Sequence, residues 1–328
     1  MWALKNTTPF AAAKAFERDR DGHEVLCLVV RATLRPGLDE LWIAEDEQLP
    51  VLMVPELGED EMIADADIAP FMPGSEIIVR GAVDGPLPPE GRIAQVQVGN
   101  IRHQLRLWPA QQARKVKQRV VVEALDDADL TLSWTHSAGG PLPDDTLHPD
   151  NPVGTGLLPP TEDEPVLLPR ILGVDDRPDA LHPGTRPVGL GPIHRHWAPR
   201  LEAAGTYDAA WEDTRAPLLP HDFDPRFYFS APPPLQQAQA FRSGEPIVLS
   251  GFGPERDMQT RLPSVVITSM TEIGRARVEQ RLALQRVSVD LDAGTVGLVW
   301  QTAVPCDGQD HLIRASTLRI KQVSGIAL

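Results

Sequence analysis

Proline placement constrains this chain more than any other feature. Proline fixes φ and donates no backbone hydrogen bond, so it interrupts helices and the interiors of sheets. Residues 141–235 hold 19 of the chain's 33 prolines. Long regular elements are therefore excluded from the middle, and the regular structure must lie on either side of it. The same stretch carries Trp197, Tyr207, Trp211, Phe223, Phe227, Tyr228 and Phe229. Disordered linkers lack such aromatics. The segment reads as ordered, loop-rich and pinned to a scaffold by its rings, with room for a short helix only between Trp197 and about Arg215. Long ordered loops are uncommon and often functional.

Both flanks read as strands. Glu24 to Leu34 is rich in Val and Leu and ends at Arg35-Pro36-Gly37, a turn signal. Leu41-Trp42-Ile43 and Ser75 to Val83 follow, the latter closed by Asp84-Gly85-Pro86. Ile93 to Val98 alternates apolar and polar residues, the period of a half-buried strand. Gly99-Asn100 then turns the chain into Ile101 to Trp108, a hairpin. Arg119 to Trp134 adds one or two strands broken near Asp126-Asp127. Beyond the central segment, Pro246–Leu249, Ser264–Thr268 and Arg277 to Asp290 are candidate strands. Asp292-Ala293-Gly294 turns the last of them into a partner over Thr295 to Val304. No repeat of 20–50 residues is present, which excludes a solenoid or propeller. The expected fold is mainly β, with antiparallel, sandwich-like sheets at 1–140 and 236–328 joined by the proline-rich segment 141–235. The two flanks are free to share one core.

A chain of 328 residues can bury such a core without disulfides or metals. Cys27, inside the apolar run Val25–Val30, and Cys306 read as buried thiols; no CxxC pair suggests zinc or redox chemistry. The formal net charge of -15 argues against a phosphate-backbone binder and against an anionic membrane surface. No apolar run is long enough to span a bilayer, and Met1 to Phe10 has no signal-peptide pattern, so a cytoplasmic protein is expected.

One constellation resembles catalytic machinery. His194-Arg195-His196 is followed by Asp208 and then His221-Asp222, His221 coming 25 residues after His196. Histidines with carboxylates can hold zinc or a pair of metals and generate hydroxide. His194 and His196 share a face only on an extended strand, and Gly191-Pro192 favours a loop, where such side chains serve the backbone instead. A nucleophile elbow and a phosphate loop are both missing; Gly139-Gly140 and Gly154-Thr155-Gly156 read as turns. The remaining candidates are Arg195, Arg200, Arg215 and Arg226, interleaved with Trp197, Tyr207, Trp211 and Tyr228. Arginine and large aromatics are enriched at the centres of protein interfaces. These eight are the expected partner-binding residues, with internal packing as the alternative.

The central block also carries a pattern in a fixed order. It runs Asp150-Asn151-Pro152-Val153-Gly154-Thr155-Gly156, Gly189-Leu190-Gly191-Pro192-Ile193, Trp197-Ala198-Pro199-Arg200, Ala204-Gly205-Thr206-Tyr207-Asp208, then Trp211. Arg215-Ala216-Pro217-Leu218-Leu219-Pro220-His221-Asp222-Phe223-Asp224-Pro225-Arg226-Phe227 and Ala231-Pro232 complete it. Together with Met1-Trp2, Thr8-Pro9-Phe10, Arg18–Gly22 and Gly244-Glu245, this resembles the bacterial family known as domain of unknown function 2169. The resemblance implies an adaptor or chaperone of type VI secretion. Such a protein is encoded beside spike proteins, PAAR-like tip proteins and toxic effectors, and holds an effector or PAAR-like protein for loading onto the spike. It implies no cofactor and no catalytic residue. The chain departs from the pattern at Trp134–Gly140 and at Pro233-Pro234-Leu235-Gln236, which bears on partner choice if those positions touch a partner. Two other readings stand beside it. One is a metal-dependent hydrolase built on His194, His196, Asp208, His221 and Asp222; the other is a module secreted as part of the spike.

Overall fold

The computed structural model describes residues 2–126 and 129–327. Its regular structure is mainly strand, and among the described residues only Ala198–Leu201 and Ala209–Thr214 are α-helical. Both lie where the sequence left room for a helix.

The longest strand, Glu24–Pro36, is the spine of an eight-stranded sheet. Leu26 through Val30 are each 0% exposed. A strand buried on both faces reads as a continuous apolar run. Ala11–Arg18 pairs antiparallel with one edge of the spine and Thr295–Pro305 with the other. Ala283–Asp290 pairs antiparallel with Thr295–Pro305, as the sequence suggested, and Ser75–Arg80 adds to it in parallel. The spine continues through Pro36, beyond the expected turn, and Trp42–Ala44 folds back onto its end.

A five-stranded sheet has the order Ile171–Leu172, Ile101–Leu107, Arg92–Val98, Pro246–Ser250, Met258–Arg261. Gly99 turns its hairpin at φ 57, a left-handed conformation that glycine adopts without strain. Ala94, Val96 and Val98 point into the core while Gln95 and Gln97 are half-buried, as the alternation predicts. A four-stranded sheet joins Ala3–Asn6, Ile313–Ser324, Ser264–Ile273 and Ala276–Arg281.

Two details differ from the sequence reading. Arg277 to Asp290 is not one strand: Ala276–Arg281 belongs to the four-stranded sheet and Ala283–Asp290 to the eight-stranded one. Leu282, 2% exposed, marks the change of sheet. Periodicity identifies a strand but not its neighbour. Gln111–Val116 and Ile313–Ser324 are strands that the sequence did not single out. The stretch Arg119 to Trp134 yields Arg119–Ala124 and Leu130–Thr131, while Asp127, like Met1, lies outside the described residues.

One apolar cluster runs from Phe10 to Leu318, and the central segment contributes Ile171, Leu190, Ala231 and Leu235 to it. Cys27 and Cys306 are buried and unbridged, and burial pushes the Cys27 thiol up to about 12. Among the described residues, no helix is long and apolar enough to cross a membrane.

Candidate functional site

A loop-rich segment lacks the ladder bonds of a sheet, so its buried backbone groups need other partners. Here a charged side chain of the scaffold supplies two of them. Glu76, 0% exposed on Ser75–Arg80, accepts hydrogen bonds from the backbone N–H groups of Ser230 (2.7 Å) and Ala231 (2.8 Å). Its other oxygen accepts from Arg286 Nε at 2.7 Å. Arg286 also reaches Asp67 at 3.0 Å, and Asp67 accepts from Arg31 and from the Leu52 N–H, each at 2.9 Å. Asp65 completes the set, with Arg195 and Arg200 each 2.8 Å away. Burial raises the pKa of Asp65, but Arg200, Arg195 and Arg286 outweigh it and hold the carboxyl below its ordinary range.

These seven ions join the spine strand, the 49–69 connection, two further strands and both ends of the 193–231 block. Removing one member of a buried pair leaves an uncompensated charge, which is why such networks fix one arrangement when every member is satisfied. The sequence reading did not single out Asp65, Asp67, Glu76, Arg31 or Arg286. The available signal was Asp65 and Asp67 between Ile63 and Ala69, and lone charges inside the apolar strands Ser75–Arg80 and Ala283–Asp290.

A second anchor lies at Asn151, 0% exposed. Its amide donates to the carbonyls of Trp134 (2.9 Å) and Ala138 (3.0 Å). Around it Ala138–Gly139 and Thr155–Gly156 pair in parallel. The glycines expected as turns are close-approach positions. A Cβ on Gly140 would lie 2.1 Å from the Gly154 carbonyl oxygen, and one on Gly154 2.4 Å from Asn151 Nδ2. Gly189 presses against the Trp134 ring in the same way, at 2.9 Å.

The eight expected partner-binding residues divide between interior and surface. Trp197 is buried, edge-on to Trp134 with ring centroids 5.7 Å apart. Arg200 is 3% exposed and donates to the carbonyls of Ile193 and Phe227 besides Asp65. Arg215 is tied to Asp21 and to the carbonyls of Arg20 and Leu219. Arg195 is half-exposed while paired with Asp65. Tyr228 is half-buried among Phe223 and Phe227, and burial pushes its hydroxyl up to about 12. Tyr207, 53% exposed, stands edge-on to the half-buried Trp211 at 4.7 Å, and Trp211 donates to the Leu218 carbonyl. Arg226 is exposed and paired with its neighbour Asp224. Tyr207, Trp211 and Arg226 are thus the members a partner reaches most readily. Beside Arg226 runs a cavity of about 660 Å³, walled by Pro199, Pro232, Pro233 and Pro234 with Arg186 and Trp134.

The histidine and aspartate set is not brought together. His194 and His196 sit in a turn, not a strand, with rings 5.1 Å apart, and burial followed by His196 lowers the pKa of His194. Asp208 caps Ala209–Thr214 by accepting from the Trp211 N–H at 2.8 Å. Asp222 accepts from the Thr206 N–H and hydroxyl, and His221 is exposed. Among the described residues, no group of three or more His, Cys, Asp or Glu side chains is placed to hold a metal ion.

Residues 21–301 match the family described as an uncharacterized protein conserved in bacteria (DUF2169). No curated protein and no solved structure matches the chain.

Proposed function

We propose that this chain, which belongs to the DUF2169 family of uncharacterized conserved bacterial proteins, is an accessory protein of type VI secretion. In this reading it is a cytoplasmic adaptor or chaperone that binds a PAAR-like tip protein or a toxic effector, loads it onto the spike, and performs no catalysis. The observation that supports it is the fixed central block. Buried ions and Asn151 hold its backbone, while Tyr207 and Trp211 are left at the surface and Arg226 stands at the surface beside a proline-walled cavity. A rigid aromatic and arginine surface loses little conformational entropy on binding, the condition that favours tight recognition. The hydrolase lacks such support: His194 accepts from the His196 N–H, Asp208 from Trp211 and Asp222 from Thr206, His221 is exposed, and among the described residues no group of three or more such side chains is placed to hold a metal ion.

The test is recovery of tagged protein from its native cells, with partners identified by mass spectrometry and metal measured on the same sample. A PAAR-like protein or toxin is expected in stoichiometric amount. The double variant Tyr207→Ala, Arg226→Glu is expected to reduce that recovery at least about tenfold, the scale of one interface anchor, at unchanged melting temperature. A lone protein carrying stoichiometric metal overturns the proposal.

A further inference from the structure

A second surface stands apart from the central block. Gln111–Val116 and Arg119–Ala124 form an antiparallel hairpin around Lys117-Gln118, in register from Val116 opposite Arg119 to Gln111 opposite Ala124, without a bulge. Arg119–Ala124 is the last strand of its sheet, and among the described residues nothing pairs with its outer edge. In a hairpin with a two-residue turn, alternate residues point their N–H and C=O groups outward. The inner edge shows which ones. Lys115 N–H donates to the Thr161 carbonyl, and the Gln111 carbonyl accepts from Leu168 N–H, both away from the hairpin. Their cross-strand partners Val120 and Ala124, and Val122 between them, therefore present free groups on the outer edge.

That edge is apolar and unguarded. Val120, Val121 and Val122 are 60%, 40% and 40% exposed. Natural edges are ordinarily blunted by proline, a bulge or an embedded lysine, and none of these interrupts the three valines. The tip carries the opposite sign to the whole molecule. Arg114, Lys115, Lys117 and Arg119 cluster within six residues of a chain whose net charge is -15, and none of them makes an ion pair among the described residues. The acidic run Glu162-Asp163-Glu164 follows Thr161 on the inner edge, and Asp126 follows the strand at the end away from the basic tip. Glu123, the one acid on the strand, accepts from Gln112 at 3.0 Å.

We propose that the outer edge of Arg119–Ala124 is a docking edge for an acidic, extended segment of a protein partner, which joins the hairpin as an added strand. Free main-chain groups supply the ladder, the valines take alternate apolar side chains, and the four cations select acidic ones over basic ones. This goes beyond the reading of the central block, since it places a separate surface on another element and needs no secretion context.

The experiment uses the full chain and two fluorescein-labelled peptides of equal length, one alternating Glu and Val, the other Lys and Val. Binding is followed by anisotropy. The acidic peptide is expected to bind at least tenfold more tightly than the basic one. Val122→Pro removes an outward N–H without touching the hairpin's own bonds, and is expected to weaken binding at least tenfold with unchanged circular dichroism and melting temperature. The double variant Lys117→Glu, Arg119→Glu, which leaves the edge open, is expected to lose the preference for the acidic peptide. Tyr207→Ala, Arg226→Glu is expected to bind the peptide normally, which separates this surface from the central block. Equal binding of the two peptides, binding of neither, or unchanged binding by Val122→Pro overturns the proposal. A concentration-dependent dimer that Val122→Pro abolishes assigns the edge to a second copy of the chain and overturns it as well.

Discussion

Glu76 bonds at once to Arg286, to two backbone N–H groups and to the Ser230 hydroxyl, all out of water. Charge and geometry are both needed there. Glu76→Gln keeps the shape but leaves the buried Arg286 with Asp67 as its one remaining carboxylate contact, and the expected loss is about 3–5 kcal/mol, typical of breaking one side of a buried pair. The shift in urea midpoint measures it. Asp65 makes the network sensitive to pH. Its folded pKa lies below the ordinary 3.8, because three arginines outweigh burial. Its stabilisation is therefore complete above the unfolded value and is lost as pH falls through the folded one. The gap in urea midpoint between wild type and Asp65→Asn is expected to be constant near neutrality and to narrow below pH 3.8. A gap that does not change with acid counts against charge as the basis of the contact.

Where Ala138–Gly139 pairs with Thr155–Gly156, there is no room for a Cβ at Gly139, Gly140, Gly154 or Gly156. Gly140 at φ 75 and Gly156 at φ 87 are left-handed as well as crowded. Gly140→Ala is expected to cost at least about 1–3 kcal/mol from backbone strain alone, before the clash with Gly154 is counted. Denaturant unfolding of Gly140→Ala beside Gly85→Ala separates the two contributions. Gly85 has φ 73 with nothing near its missing Cβ, so it carries the strain without the clash. Equal losses at the two sites would remove the close-approach explanation. The family-like motif around Asn151 thus has a structural reading, since its glycines and its amide hold two backbones together. The exposed Arg119–Ala124 edge is the opposite kind of element, with free backbone groups and little packing.

Strands from both flanks of the chain pair with each other within the eight-stranded and five-stranded sheets, and one apolar cluster takes residues from both. Cooperative unfolding follows when each part buries the other's surface. A single calorimetric transition is expected, with the 141–235 segment resistant to protease until that transition. Early cleavage inside 193–231, before the sheets melt, would show that the block is not held as the ion network requires.

The sequence by itself determined the class of the fold. The apolar run of the spine, the alternation at Ile93 to Val98, the Gly99-Asn100 hairpin and the Asp292-Ala293-Gly294 turn all reappear in place, because period and turn chemistry are local properties. Proline density likewise confined α-helix, among the described residues, to two short pieces. Tertiary structure decided which strands meet, as the split at Leu282 shows, since backbone hydrogen bonding is the same for every neighbour. It also decided which polar residues go inside. Arg200 and Arg226 look alike in sequence, yet one is buried on Asp65 and the other stands at the surface. Charges as far apart as Asp67 and Arg286 find each other only when the sheets close, because the desolvation that makes their pairing necessary does not exist until the core does.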